Sequence, residues 1–190
     1  MDRTHLIKRM PQEESFTRII REAGKLKLPY LLVGGHAVLL YGVIRLTRDM
    51  DLLIPDTRID AWTYLLTKNL GYRLFQSSHA FLRFEHDSQD YIPIDFMVVN
   101  GSTWEKLIAR TETRLLDHNL QIRLPHPTHL IAMKLTALSA PHRRKDNSDW
   151  FDIINIIREQ KLSLEDAEFR SLILHYGGDE ILQKLREALS

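Results

Sequence analysis

Asp49 and Asp51 lie two residues apart in the stretch RLTRDMDLLI, and that spacing places both carboxylates on one face of a β-strand while Met50 and Leu52 point the other way. Two such groups can hold a pair of divalent cations about 3.5–4 Å apart, one activating an attacking hydroxyl and the other holding a triphosphate. Upstream, Gly34-Gly35 breaks the apolar run YLLV before a short helical pattern. Glycine there lets backbone N–H groups approach a bound anion, and the start of the helix turns its positive end toward the same place. A phosphate cradle followed by paired carboxylates reads as a Mg-nucleotide site. A third acid, Asp95, sits inside the apolar run YIPIDFMVV. A buried carboxylate is costly unless it is paired, hydrogen-bonded or bound to a cation. Asp95 therefore either converges with Asp49 and Asp51 on a metal or pairs with an arginine such as Arg83.

These residues need a scaffold. The spacing predicts a strand over Tyr30–Val33, a helix of about two turns over His36–Tyr41, a turn at Gly42 and a second strand carrying Asp49 and Asp51. Arg45 and Thr47 fall on the face of the two acids, and Arg48 on the other. Phe16, Ile19, Ile20 and Ala23 form a helical stripe within residues 12–26 that ends at Gly24. A helix over Arg58–Leu70, with Ala61, Leu65 and Leu66 at helical spacing, stops at Gly71 and crosses to a strand over Tyr72–Phe75. His79–Glu85 and Tyr91–Val99 read as a hairpin, Ser102–Ala109 as a short helix, and Arg114–Leu116 with Leu120–Leu124 as two further strands. Beyond Pro125 and Pro127 the pattern is helical: Thr128–Ser139, Asp146–Glu159, Ser163–Tyr176 and Asp179–Leu189, with a break at Gly177-Gly178. The expected fold class is α/β, a small mixed β-sheet flanked by helices over residues 1–124, followed by a helical C-terminal subdomain over 125–190.

The order of Gly34-Gly35, helix and Arg45-x-Thr47-x-Asp49-x-Asp51 resembles the core of the DNA polymerase β-type nucleotidyltransferase superfamily. The fuller pattern GGHAV…YG…R-x-T-x-D-x-D is most similar to AbiEii-like and minimal nucleotidyltransferases of bacterial toxin–antitoxin systems. The resemblance implies the nucleotidyltransferase fold and transfer of a nucleoside monophosphate from a nucleoside triphosphate (NTP). It implies Asp49, Asp51 and Asp95 as catalytic ligands of Mg2+ or Mn2+, with Gly34, Gly35, His36, Arg45 and Thr47 around the nucleotide. His36 departs from the superfamily, which usually has a serine after the glycine, so backbone N–H groups would do the phosphate contact with His36 either helping or serving the helix. The later pattern Lys134…Arg143-x-Lys145-Asp146…Asp149 is similar to a signature in which a lysine and a Lys-Asp pair line the nucleotide pocket. It adds Lys134, Lys145 and Asp146 to the expected site.

Several of these residues also have plainer readings. Arg45 serves either the nucleotide or an ion pair. Lys134 interrupts an apolar stripe of Leu130, Ile131, Ala137 and Leu138, so its ammonium either snorkels to water or reaches a phosphate or a carboxylate of the site. Asp146 and Asp149 fit equally a helix N-cap and first turn. The dense basic cluster His142-Arg143-Arg144-Lys145 is either a solvated loop or a local nucleic-acid contact.

Length and composition bound the rest. The 190 residues allow one domain, or a catalytic domain with a helical appendage. A net charge of +1 gives no overall field toward nucleic acid, so any such contact is local. No apolar run approaches the roughly 20 residues of a membrane span. The N-terminal stretch lacks a signal-peptide core and cysteine is absent, which fits a reducing cytoplasm. The expected activity is metal-dependent transfer to a hydroxyl of an RNA (tRNA-like) or protein acceptor with release of pyrophosphate, in a protein that belongs with an antitoxin or other partner. The alternatives are a catalytically inactive, nucleotide-binding regulatory or antitoxin-like partner, which would bind nucleotide without releasing pyrophosphate, and a metal-dependent nuclease, which would cleave RNA without an NTP. The acceptor, the preferred base and the oligomeric state are not written in the sequence.

Overall fold

A computed structural model of the chain describes residues 13–117, 120–139 and 148–190, which form two compact units, one of residues up to Leu40 with Arg45–Pro125, the other of Tyr41–Ile44 with His126–Ser190. The first unit holds all the strands. In chain order its elements are α1 (Glu13–Lys25), β1 (Leu31–Leu32), α2 (Gly34–Leu40), β2 (Met50–Pro55), α3 (Ile59–Tyr64), β3 (Arg73–Ser77), β4 (Phe81–Glu85), β5 (Ile94–Val99), α4 (Gly101–Ile108), β6 (Thr111–Asp117) and β7 (Leu120–Pro125). A 3-10 turn at Asp56–Arg58 leads into α3, and a π-turn at Leu65–Asn69 leads out of it to Gly71, whose φ of 76° reverses the chain.

Five strands pair in the order β1-β2-β5-β4-β3, and β6 with β7 makes a separate two-stranded sheet. The mixed α/β class is as expected. β2 and β5 are parallel, while β1–β2, β3–β4 and β4–β5 are antiparallel. The crossover through α3 therefore reaches the far edge of the sheet, and the β4–β5 hairpin carries the chain back beside β2. Core packing follows the strand alternation. Ile94 and Phe96 of β5 are fully buried, Phe96 meets Trp62 of α3 with ring centroids 5.1 Å apart, and Trp62 Nε1–H donates to the Pro29 carbonyl. Asp95, between them in sequence, belongs to the opposite face.

Two sequence expectations shift here. β1 pairs over only two residues, and β2 begins at Met50, so Arg45, Thr47 and Asp49 precede the ladder rather than lying on it. Burial in residues 45–49 still alternates, with Thr47 buried and Leu46 and Arg48 exposed, although these residues belong to no strand.

The second unit is helical: α5 (Pro127–Leu138), α6 (Ser148–Glu159) and α7 (Ala167–Leu189). Gln160 ties residues 41–44 to it by donating to the Tyr41 carbonyl at 2.7 Å. The helix expected from Ser163 starts at Ala167, because Asp166 is the residue whose carboxylate caps Phe169 N–H, at 2.8 Å. Gly178, at φ 77° and ψ 178°, breaks the helical path inside α7 where the glycine pair predicts a break. Among the described residues no helix is long and apolar enough to cross a membrane.

Candidate active site

The site grows from one row across three strands. In the parallel β2–β5 register Asp51 stands opposite Asp95, and in the antiparallel β4–β5 register Arg83 stands opposite Asp95. Cross-strand partners project from the same face, so Asp51, Asp95 and Arg83 lie side by side. Asp49 precedes Asp51 by two residues, and its charge is close enough to act on both Asp95 and Arg83. The three expected carboxylates are thus neighbours at the start of β2 and β5.

Each acid already has protein partners. Asp51 Oδ2 accepts a long hydrogen bond from Gly35 N–H at 3.4 Å. Thr47 Oγ1 lies 3.4 Å from both the backbone oxygen and Oδ1 of Asp49. Asp95 receives Arg83 Nη1 at 3.2 Å on Oδ1 and 3.1 Å on Oδ2, while Arg83 Nε donates to Glu85 Oε1 at 3.0 Å. The arginine pair expected as one reading of Asp95 is therefore present, and the strand register sets Asp95 beside Asp51. Burial pushes the Asp95 carboxyl up to about 6; Arg83 pulls it down, and the neighbouring charges of Asp49 and Glu85 add to the rise. Burial works against the Arg83 charge too, yet its hydrogen bond to Glu85 and the three surrounding carboxylates outweigh it and raise its pKa.

The glycine pair is packed rather than open. At Gly34, φ is +58° and the Asp51 carboxylate fills the space a β-carbon would need. A β-carbon on residue 35 would collide with the Thr47 side chain and come within 3.3 Å of Arg45 Nε. Gly34 and Gly35 therefore let Asp51, Thr47 and Arg45 settle against the start of α2, a use the sequence reading did not assign to them. Arg45 is half-buried and its Nε donates to the Leu46 carbonyl at 3.3 Å. His36 is 7% exposed, stacks at a tilt on Phe16 with centroids 4.9 Å apart and hydrogen-bonds the Asp49 backbone. Desolvation lowers its pKa to about 4 against the pull of Asp49, so the ring is neutral at pH 7. It supports the segment that carries Asp49 and brings no positive charge to a phosphate.

Lys134 requires a correction. Its Nζ lies 2.8 Å from Asp149 Oδ1 and 2.6 Å from Asp152 Oδ2, with all three side chains 13% exposed or less. The lysine neither snorkels nor stands open to an anion in this state, because α6 supplies two carboxylates on one face to α5. Asp149 is a partner in this triad and more than a first-turn acid, and Asp152 is a residue that sequence reading missed. Its signal was a carboxylate inside the apolar run FDIINII, one helical turn from Asp149. Lys145, Asp146 and the cluster His142-Arg143-Arg144 lie outside the described residues.

Among the described residues no group of three or more histidine or acid side chains is arranged so that it could hold a metal ion. The donors nonetheless suit Mg2+ or Mn2+ by their chemistry: Asp49, Asp51 and Asp95 offer only carboxylate oxygens.

Comparison with known proteins bears on the fold and the family. The chain is similar to a nucleotidyltransferase-like antigenic protein from Paracoccidioides brasiliensis, with 18% identity, 94% of this chain and 91% of that chain covered, and a TM-score of 0.59. It is also similar to ANT(2")-Ia in complex with adenylyl-2"-tobramycin (16% identity, 92% and 97% covered, TM-score 0.61) and to the lincosamide antibiotic adenylyltransferase LnuA with lincomycin bound (17%, 76% and 95%, TM-score 0.52). At such identities the likeness is one of fold. No curated protein sequence matches. The family model described as nucleotidyl transferase AbiEii toxin, Type IV TA system, matches residues 18–190, and the chain belongs to this family of nucleotidyltransferases.

Proposed function

We propose that the protein transfers a nucleoside monophosphate from an NTP to a hydroxyl of an RNA (tRNA-like) or protein acceptor, releasing pyrophosphate, as the toxin-side member of a pair with an antitoxin. The observation that carries this reading is the register of Asp51 with Asp95 on parallel strands, with Asp49 two residues before Asp51. Asp49, Asp51 and Asp95 would hold Mg2+ or Mn2+, which supplies charge neutralisation at the triphosphate and a more acidic acceptor hydroxyl. The remaining work is positioning. Thr47 and the Asp49 backbone bond to His36 fix where Asp49 points, Gly34 and Gly35 admit Asp51 against α2, and Arg45 lies alongside to meet phosphate. Residues 1–124 form the catalytic part in this reading. Lys145 and Asp146 keep the roles that the resemblance implies, and Lys134 would reach a phosphate only by leaving Asp149 and Asp152.

The test is incubation with α-labelled NTPs, Mg2+ or Mn2+ and total cellular RNA or protein, scoring label transfer and pyrophosphate release. Wild type should label an acceptor, and Asp49→Ala and Asp51→Ala should not. Nucleotide binding without pyrophosphate from any acceptor would instead favour a regulatory partner, and RNA cleavage without an NTP would favour a nuclease.

A further inference from the structure

Arg83 grips Asp95 by the same lone pairs a cation would need. Its Nη1 spans both carboxylate oxygens at 3.2 and 3.1 Å, and its Nε is anchored independently by Glu85 at 3.0 Å. The Asp95 side chain is 11% exposed, whereas Arg83 and Glu85 are about three times more open, at 29% and 35%. The inner end of this chain of charges is thus enclosed and its outer end borders solvent. A guanidinium and a divalent cation cannot share one carboxylate closely without strong like-charge repulsion.

We propose that Arg83 is a positioning residue that acts as a built-in counter-ion: it holds Asp95 in the metal-free protein, yields it when the cation arrives, and is retained by Glu85 during the exchange. This rests on the reading of Asp95 as a metal ligand. The row Asp51–Asp95–Arg83 is what makes the exchange local, since only the end of one β4 side chain has to move. Asp95 stays compensated in both states, so it never stands as an uncompensated buried charge. A further consequence is that the protein alone binds the cation weakly, because each binding event must break a two-oxygen, charge-assisted contact.

The experiment is titration of the full chain with Mn2+ in the absence of nucleotide, with free Mn2+ followed by electron paramagnetic resonance. Arg83→Met should bind Mn2+ about ten-fold more tightly than wild type, and Arg83→Lys, which keeps the charge but loses the guanidinium fork that holds Asp95 by one nitrogen and Glu85 by another, about three-fold more tightly. Asp95→Asn should bind more weakly. Unchanged or weaker binding in folded Arg83→Met overturns the proposal. So does tighter binding in Arg83→Met with wild-type binding in Arg83→Lys, since a mere electrostatic field follows charge and ignores the fork. Should Arg83→Met fail to fold, Arg83→Lys carries the test alone. Wild-type affinity in Asp95→Asn would show instead that Asp95 is no metal ligand, a failure of the underlying reading and not of the Arg83 contact.

Discussion

The carboxylate of Asp51 occupies the space that a β-carbon on residue 34 would take, and Gly34 meets it at φ +58°. Glycine is therefore required twice at this position, once by the backbone and once by a side chain from the neighbouring strand.

Gly34→Ala should lose about 1–2 kcal/mol to the left-handed backbone alone, and more as Asp51 is pushed aside. Gly178, at φ +77° but with open space around its β position, supplies the control. Gly178→Ala should show a backbone cost without a collision, about 1–3 kcal/mol for the glycine-only region at φ 77° and ψ 178°. Chemical denaturation and label transfer on both variants check this: activity should fall with Gly34→Ala and survive Gly178→Ala. Equal losses of stability with full activity in both would show that Asp51 has room to move.

Much of the site was legible because a charge in the wrong place is conspicuous. Asp95 inside an apolar strand announces that something compensates it, and Arg83 is the partner found beside it; a cation shared with Asp49 and Asp51 stays a proposal. The choice between them could not be made in advance, since strand order decides neighbours and β3 takes the far edge after its crossover. The start of β2 was misplaced for a related reason. Alternation does not by itself report a ladder, and residues 45–49 alternate in burial while belonging to no strand. Lys134 shows the sharper limit. Its apolar helical face marks the ammonium as unusual, but any anion could answer it, and only packing selects Asp149 and Asp152.

That selection makes Lys134 a residue whose neutralisation should be costly. Lys134→Met removes the ammonium that meets Asp149 and Asp152, a loss of about 3–5 kcal/mol where a buried pair is broken from one side. Adding Asp149→Asn and Asp152→Asn to the same chain should return a large part of it, since the two carboxylates are then neutral amides. Urea denaturation of the single and triple variants measures both. A single variant within 1 kcal/mol of wild type, as an order of magnitude, would mean that the triad opens readily and that Lys134 is available to phosphate after all.

The last prediction uses two groups of the site whose protons pull in opposite directions. Asp95 has a folded pKa raised to about 6, so its contribution to stability is fully present below the unfolded carboxylate range near pH 4 and is lost as pH rises through 6. His36 has a folded pKa lowered to about 4, so its contribution is present above the unfolded value near 6.5 and is lost as pH falls toward 4. Each swing amounts to about 3 kcal/mol, in opposite senses over nearly the same window, and in the metal-free wild type they largely cancel. Asp95→Asn should uncover the histidine, with stability falling more steeply than wild type from pH 6.5 to 4. His36→Gln should uncover the aspartate, with stability falling relative to wild type from pH 4 to 6.5. Denaturant midpoints in metal-free buffer across that range give both differences, and saturating Mn2+ should remove the aspartate's share by holding Asp95 ionised. Parallel pH profiles for wild type and both variants would show that neither proton is displaced by folding.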